Sequence, residues 1–257
     1  MTSDAPDLPE DWQVRVVRRL SGGDRGAWLC AASRGGLLVV KRCGAEAQAT
    51  IAALKAWPSD ARVRLLAHHG DLLLMECLRH DLTLDAEPAG VQVRSLAQLA
   101  RRLRVQAPAE VPDLSQTVGE WGRRLATDTG DAWDRRLSAA RRAAMELLAS
   151  TGERTLLHGD LHPGNVLRSP HGWKVIDPQP AAGDPAYDAE PVLRRALDGG
   201  AVGLIPNLVD EMGLPEDRTI AWAKVRAAWY GAASARNHDR PREARWARRL
   251  FWLDALC

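Results

Sequence analysis

The first eighty residues carry the hydrophobic patterns of short β-strands around one helix. Apolar and polar residues alternate in WQVRVVRRL at residues 12–20, which is the period of a strand, and residues 27–33 and 36–43 are predicted to be two more strands. Residues 46–57 have apolar positions at helical spacing, and residues 61–78 read as a hairpin. The pattern predicts a small antiparallel sheet of five strands with one helix.

The hydrophobic period changes to that of amphipathic helices from about residue 91. Leu96, Leu99 and Leu103 share one helical face, and similar faces recur between residues 114 and 148 and again between 188 and 256. We therefore predict an α+β fold with two lobes: a β-rich lobe over residues 1–80 and a larger, mostly helical lobe over residues 81–257. Ligands often bind in the cleft of such an arrangement.

Charge and cysteine content narrow the functional classes. Lys and Arg total 35 against 33 Asp and Glu, so the net charge of +2 gives no reason to expect a nucleic acid or a membrane as partner. The four cysteines form no CxxC pair, which favours free thiols in a reducing compartment. The first residues lack the features of a signal peptide, and no apolar run is long enough to span a membrane. We expect a soluble, cytoplasmic monomer or weak dimer.

One stretch concentrates polar side chains that suit metal chemistry. It is HGDLHPGNVLRSPHGWKVID at residues 158–177, and it contains two short strands joined by a turn. A hairpin would bring Asn165 at its start close to Asp177 at its end, with Asp160 on the loop that leads into it. An amide oxygen and a carboxylate suit Mg²⁺, and a further carboxylate can orient a hydroxyl group. These groups together are what phosphoryl transfer requires.

The same stretch resembles the catalytic loop of kinases. HGDLHPGN fits the pattern H-R-D-L-x-x-x-N, with Gly159 in place of Arg. Its His-Gly-Asp-x-His-x-x-Asn form, IDPQPAAGDPAYDAEPVLR at residues 176–194 and WAKVRAAWYGAASARNHD at 222–239 are similar to the aminoglycoside phosphotransferase family, in its streptomycin 6-kinase and hydroxyurea phosphotransferase branch. The likeness covers most of the chain from about residue 35.

The resemblance implies a protein-kinase-like fold that uses ATP and Mg²⁺. Asp160 would be the catalytic base or the carboxylate that orients the acceptor hydroxyl, and Asn165 and Asp177 would hold Mg²⁺. The side chains expected to support this loop are those of His158, His162 and Asp188. Asp184 or Asp188 is also expected to cap the helix that follows.

The resemblance also assigns a nucleotide site in the first lobe. Lys41, at the end of a predicted strand, would neutralise the α- and β-phosphates of ATP. Kinases hold this lysine with a helix Glu, and here Thr50 stands in its place. Glu46, one helical turn earlier, is the candidate substitute, and the alternative is that the lysine is held differently. The remaining nucleotide-binding candidates are the glycine-loop residues Gly22 and Gly23 and the hinge residues Met75, Glu76 and Cys77.

The expected acceptor is a cationic small molecule with a hydroxyl group, of which a streptomycin-like aminocyclitol is the leading class. Hydroxyurea, peptide antibiotics and metabolites remain as alternatives. Polycations need carboxylates, and the candidates in the helical lobe are Asp198, Asp210, Glu211, Asp239 and Glu243.

Three other functional hypotheses stand beside that of a small-molecule kinase. The side chains of His158, Asp160 and His162 could form a transition-metal cluster of a hydrolase. A nucleotide-binding module without activity would account for Thr50 and for the poor glycine loop. The Arg-rich stretch from Arg236 to Arg249 could bind nucleic acid.

Overall fold

A five-stranded antiparallel sheet forms the first lobe in the computed structural model, which describes residues 5–21, 25–125, 131–152 and 154–256. The strands lie in the order β1-β2-β3-β5-β4, and one helix, α1, packs on the sheet. Their bounds are β1 (Val14–Arg19), β2 (Ala27–Ala32), β3 (Leu37–Arg42), α1 (Ala47–Ala56), β4 (Leu65–His69) and β5 (Leu72–Glu76).

Strand periodicity gives this sheet two apolar faces, because successive side chains point to opposite sides. In β5, Leu72 and Leu74 pack with Trp28 in a small cluster on one face. Leu73 and Met75 instead join the main core, which also contains residues of α1. Both faces of β5 are therefore buried, and its register in the sheet is fixed by packing on two sides.

Seven α-helices and two small sheets are the main elements in the rest of the described chain. The strands are β6 (Arg79–Thr83), β7 (Thr155–Leu157), β8 (Val166–Ser169), β9 (Gly172–Val175) and β10 (Ala181–Gly183), paired as β6-β8-β9 and β7-β10. The helices are α2 (Ala89–Arg102), α3 (Leu114–Arg124), α4 (Asp131–Ala149), α5 (Glu190–Asp198), α6 (Ile205–Met212), α7 (Glu216–Arg236) and α8 (Arg240–Asp254).

The predicted α+β arrangement is confirmed, including the five-stranded sheet, its helix and the β8–β9 hairpin. The sequence did not predict β6, β7 or β10, which are short and lack a clear alternation. The expected lobe boundary at residue 80 falls inside β6, and β6 pairs with β8 of the second lobe. Among the described residues, no helix is long and apolar enough to cross a membrane.

Backbone hydrogen bonds fix the β8–β9 hairpin to the first lobe. The Val63 N–H donates to the Val175 carbonyl at 2.9 Å, and the Val175 N–H donates to the Ala61 carbonyl at 2.9 Å. Lys174 also forms a 2.6 Å ion pair with Glu76 at the end of β5. Because these contacts cross between the lobes, the end of β9 lies beside the first lobe, and Asp177 follows two residues after this end.

Candidate active site

The β8–β9 hairpin brings together the polar residues that the sequence singled out. The Ile176 N–H donates to the Asn165 carbonyl at 2.9 Å, which places Asp177 next to the start of β8. The Asn165 Nδ2 donates to the Asp160 carbonyl at 2.9 Å and lies 3.3 Å from Asp160 Oδ2. Since Asn165 uses its nitrogen for these contacts, its side-chain oxygen is the atom left to bind a cation.

Asp177 joins this site to the first lobe. Lys41, near the end of β3, donates from its Nζ to Asp177 Oδ1. Asp177 has a φ of +54°, a left-handed conformation that Asp and Asn adopt more readily than most residues. The Asp177 carboxylate stays 41% exposed, so a ligand can reach it.

Asp188 fixes the start of the loop that leads into the hairpin and carries Asp160. Its carboxylate accepts the backbone N–H of His158 at 2.5 Å and that of Gly159 at 2.9 Å. Burial raises the pKa of Asp188, which the Arg226 charge and the two N–H donors partly offset, and the result is a pKa of about 6. The neighbouring Asp184 caps the next helical segment through the Ala186 N–H at 3.0 Å, as one of the two aspartates was expected to do.

His158 has a structural position under this loop. Its ring stacks on Trp57 with centroids 5.8 Å apart, and its Nε2 lies 3.0 Å from the Ile176 carbonyl oxygen. A carbonyl only accepts, so this nitrogen carries a proton. Burial lowers the pKa of His158 to about 4, and the ring is therefore neutral near pH 7.

Asp160 carries its charge in the site. Burial raises its pKa, but the neighbouring His162 ring, 3.5 Å away, and the charge of Arg226 outweigh burial and lower the pKa to about 2. The His162 Nδ1 accepts the Gly164 N–H at 3.1 Å, so this ring also shapes the loop. Among the described residues, no three His, Cys, Asp or Glu side chains are grouped to hold a metal, so His158, Asp160 and His162 do not form the cluster of the hydrolase reading.

Glu46 contacts a cation other than Lys41. Its carboxylate accepts two hydrogen bonds from Arg25, at 2.7 and 3.0 Å, and Arg25 also donates to the Cys43 carbonyl at 2.8 Å. The hydrogen bonds from Arg25 lower the pKa of Glu46, although partial burial opposes them. Thr50, where the usual helix Glu would stand, is buried. The structure thus shows two separate ion pairs, Lys41 with Asp177 and Arg25 with Glu46.

The other residues that the sequence nominated for nucleotide binding are either outside the described residues or already engaged in other contacts. Gly22 and Gly23 lie outside the described residues. Met75 is buried in the core, and the Glu76 carboxylate is engaged by Lys174 and by the Arg64 N–H at 2.8 Å. The Glu76 N–H itself donates to the Arg64 carbonyl at 3.0 Å. An adenine base at this hinge would therefore have to use main-chain groups from Cys77 onward or the Glu76 carbonyl.

A cavity of about 880 Å³ opens beside these residues. Lys41, Asp160 and Asp177 line it, and so do side chains that sequence reasoning did not assign to the site. Among these residues are Glu110, Glu120, Trp121, Tyr187 and Tyr230. The sequence does contain one hint of these residues, because it has only two tyrosines and both line this cavity.

The acidic residues that the sequence nominated for the acceptor lie elsewhere, since none is among the described residues that line the cavity. Asp198 forms a bidentate pair with Arg249 at 2.6 and 2.8 Å. Glu243 accepts the Trp133 indole N–H at 2.8 Å, and Asp239 caps α8. These carboxylates serve helix packing and capping, which charge content alone could not reveal.

The chain matches a family model over residues 27–207, and that family is described as aminoglycoside/hydroxyurea antibiotic resistance kinase. The hydroxyurea phosphotransferase of Kitasatospora aureofaciens is 39% identical over 192 residues, which cover 68% of this chain and 54% of that protein. The streptomycin 6-kinase of Streptomyces griseus is 39% identical over 205 residues, 70% and 64% of the two chains. The matched part therefore spans between half and two thirds of these relatives.

Solved structures share the fold at much lower identity. The aminoglycoside phosphotransferase APH(4)-Ia superposes with a TM-score of 0.66 at 15% identity and covers 95% of both chains. The choline kinase LicA from Streptococcus pneumoniae gives a TM-score of 0.66 at 14% identity, over 96% of this chain and 95% of the other. These likenesses confirm the kinase-like fold that the sequence predicted. By its family match and by its curated relatives, the chain belongs to the aminoglycoside/hydroxyurea antibiotic resistance kinase family.

Proposed function

We propose that the protein is an ATP- and Mg²⁺-dependent O-phosphotransferase that transfers the γ-phosphate to a hydroxyl group of a small molecule. The observation that carries this proposal is the convergence of Lys41 and Asp177, from different lobes, on a cavity that Asp160 also lines. The names of the relatives, hydroxyurea phosphotransferase and streptomycin 6-kinase, support the same reaction class.

The oxygen donors at the hairpin fit a Mg²⁺ ion. Asn165 offers its amide oxygen because its nitrogen is engaged by Asp160, and Asp177 offers a carboxylate that is open to the cavity. Magnesium prefers such hard oxygen ligands and keeps some of its water. When bound, the ion would neutralise charge on the phosphates. Lys41 bonds one Asp177 oxygen, and the second oxygen of that carboxylate remains for the cation.

Asp160 is best suited to orienting the acceptor hydroxyl. A carboxylate with a pKa of about 2 is a weak base, so it accepts a hydrogen bond more readily than it removes a proton before transfer. Phosphoryl transfer depends mainly on positioning and charge stabilisation, and a fixed hydrogen-bond acceptor supplies the positioning. Asp188 contributes by fixing the loop that carries Asp160.

The acceptor class is tested by measuring ADP release with purified protein, ATP and Mg²⁺ against a panel of hydroxyl compounds. Streptomycin is the leading acceptor, and hydroxyurea, other aminoglycosides and cyclic-peptide antibiotics complete the panel. Mass spectrometry should find the product heavier by one phosphoryl group. If no compound on the panel or in a wider set of alcohols raises ADP release above the acceptor-free rate, the proposed function is wrong.

Asp177→Asn should raise the Mg²⁺ concentration required for half-maximal rate. Asn tolerates the left-handed backbone of this position, so the fold should survive while the carboxylate is lost. Loss of even a supporting partner of a metal ligand costs about 10–100-fold in metal affinity, and we expect a shift of at least about tenfold. Initial rates against free Mg²⁺ measure it. Asp71→Asn, in a turn of the first lobe, is the matched control, and an unaltered Mg²⁺ response of Asp177→Asn contradicts the assignment.

Glu46→Gln should weaken ATP binding much less than Lys41→Met does. Glu46 pairs with Arg25 in a half-exposed ion pair, which is worth at most about 1 kcal/mol, so the Kd for ATP should rise by less than about fivefold. Lys41→Met removes a charged donor and should raise the Kd by about tenfold or more. Titration calorimetry with Mg·ATP compares the two variants. Equal losses would mean that Glu46 supports Lys41 when nucleotide binds.

A further inference from the structure

Two aromatic side chains of the second lobe line the cavity beside the catalytic residues. Trp121 comes from α3 and Tyr230 from α7, and their rings meet edge to face with centroids 5.3 Å apart. Each ring is backed by a buried indole: Trp121 stacks on Trp229 at 5.9 Å, and Tyr230 stacks on Trp246 at 4.9 Å. Because the backing rings are fixed in the core, the two cavity-facing rings form a rigid wall.

A buried arginine fixes the Tyr230 hydroxyl group. Arg226 is 2% exposed, and its Nη2 donates to the Tyr230 oxygen at 3.0 Å while its Nη1 donates to the Tyr187 carbonyl at 3.0 Å. A guanidinium only donates, so the Tyr230 oxygen is the acceptor in this bond and its own proton points elsewhere. Among the described residues, that proton has no hydrogen-bond acceptor, and the side chain borders the cavity. Tyr230 therefore presents a hydrogen-bond donor to a ligand.

Charge in the cavity argues against recognition by many ion pairs. Among the described residues, three of the five carboxylates that line the cavity already lie beside a cation of its wall. The other two are Asp160 and the exposed Glu110. The paired groups are Asp177 with Lys41, Glu46 with Arg25 and Glu120 with Arg124. Contact with rings and single hydrogen bonds are the other means by which such a pocket selects its ligand.

We infer that Trp121 and Tyr230 form an acceptor-binding wall for a cyclic hydroxyl compound. One face of the acceptor ring rests on the Trp121 indole, and an oxygen of the acceptor receives the Tyr230 hydroxyl hydrogen bond, while Arg226 positions Tyr230. The inference rests on the proposed phosphotransferase activity, and it makes cyclitol and sugar rings better acceptors than small open-chain compounds. It assigns acceptor recognition to α3 and α7, not to the acidic residues that the sequence nominated.

The test compares Trp121→Leu and Tyr230→Phe with the parent protein, with streptomycin as cyclic acceptor and hydroxyurea as open-chain acceptor. Trp252→Leu is the matched control, because Trp252 is a half-exposed indole of α8 that is not among the cavity-lining residues. Titration calorimetry measures binding of each acceptor and of Mg·ATP, and ADP release gives KM and kcat. Binding is read directly, so the result does not depend on turnover alone.

Trp121→Leu should raise the Kd and KM for streptomycin by about tenfold, and Tyr230→Phe by about threefold to tenfold, with far smaller changes for hydroxyurea and Mg·ATP. The control should match the parent protein. The inference is overturned if both variants bind streptomycin as the parent does, or if the losses are equal for both acceptors and the nucleotide. Streptomycin that neither binds nor reacts also overturns it, even where hydroxyurea is phosphorylated, whereas the proposed function fails only if no acceptor releases ADP.

Discussion

Asp160→Asn is expected to lower kcat by about 10²–10⁴-fold, the usual contribution of a positioned acid–base group, and to leave the Kd for Mg·ATP nearly unchanged. Asparagine keeps the shape of the side chain and an oxygen near Asn165, but it loses the negative charge that we propose orients the acceptor hydroxyl. The backbone carbonyl of residue 160 still accepts the Asn165 hydrogen bond, so the loop should keep its form.

Single-turnover and steady-state rates with a good acceptor would measure this loss, and calorimetry would measure nucleotide binding. Asp217→Asn, at an exposed position in the first turn of α7, is the control for loss of a carboxylate. If Asp160→Asn keeps more than about a tenth of the parent kcat, Asp160 does not orient the reacting hydroxyl. If it binds ATP much more weakly, Asp160 contributes to the nucleotide site instead.

The core of the site could be predicted from sequence because it is local. Asp160, Asn165 and Asp177 lie within eighteen residues, and a hairpin with short strands leaves few ways to arrange them. Lys41 was harder to place, since it reaches the site from the other lobe, and only the resemblance to kinases singled it out. Its partner in the structure is Asp177, 136 residues away.

Contacts that depend on tertiary structure were not predicted. Glu46 was the candidate partner of Lys41 because it lies one helical turn before the position where kinases carry their Glu, and another way of holding the lysine was the alternative. In the structure, Arg25 lies next to Glu46 on the chain that enters β2, and the bidentate contact forms there. Trp121 lies in the stretch from residue 114 to 148 where the hydrophobic spacing predicted amphipathic helices, and that prediction made no reference to a cavity. Amphipathic spacing tells which side of a helix faces inward, but it does not tell whether that side meets another helix or a ligand.

Buried charge illustrates the same limit. Arg226 lies in a stretch rich in alanine and tryptophan, and nothing in its spacing marks it as an internal cation. In the structure it contacts the rings of Tyr187 and Tyr230. Its charge helps to lower the pKa of Asp160, and it offsets part of the rise that burial causes in the pKa of Asp188. A guanidinium in the core needs such partners because an isolated buried charge is costly. The sequence shows that these residues are present, but it does not show that the fold brings them together around Arg226.

Gly159→Ala should damage both stability and catalysis, although it adds a single methyl group. Gly159 has a φ of +79°, and a Cβ atom there would lie 2.0 Å from the Gln179 carbonyl oxygen. The clash is with backbone that cannot easily move, because the Gln179 N–H donates to the His158 carbonyl at 2.8 Å. On the other side, the Gly159 N–H is held by Asp188 at 2.9 Å. The same geometry excludes the arginine that the kinase pattern has at this position.

A non-glycine residue at such a φ costs about 1–3 kcal/mol, and the clash adds to it, so we expect the free energy of unfolding to fall by about 3 kcal/mol. For a chain of this size, that corresponds to a loss of about 6–12 °C in Tm. Because Asp160 follows Gly159 directly, displacement of the loop should also lower kcat by about 10²-fold, as small misplacements of catalytic groups do.

Differential scanning fluorimetry and ADP-release assays test both parts of the Gly159 prediction. The matched control is Gly203→Ala, at an exposed glycine of ordinary φ where a Cβ atom would meet nothing within 4 Å. The control should keep the parent Tm and kcat. A Gly159→Ala protein with the parent Tm and kcat would show that the loop carrying Asp160 is not fixed between Asp188 and Gln179. The positioning argument for Asp160 would then lose its structural basis.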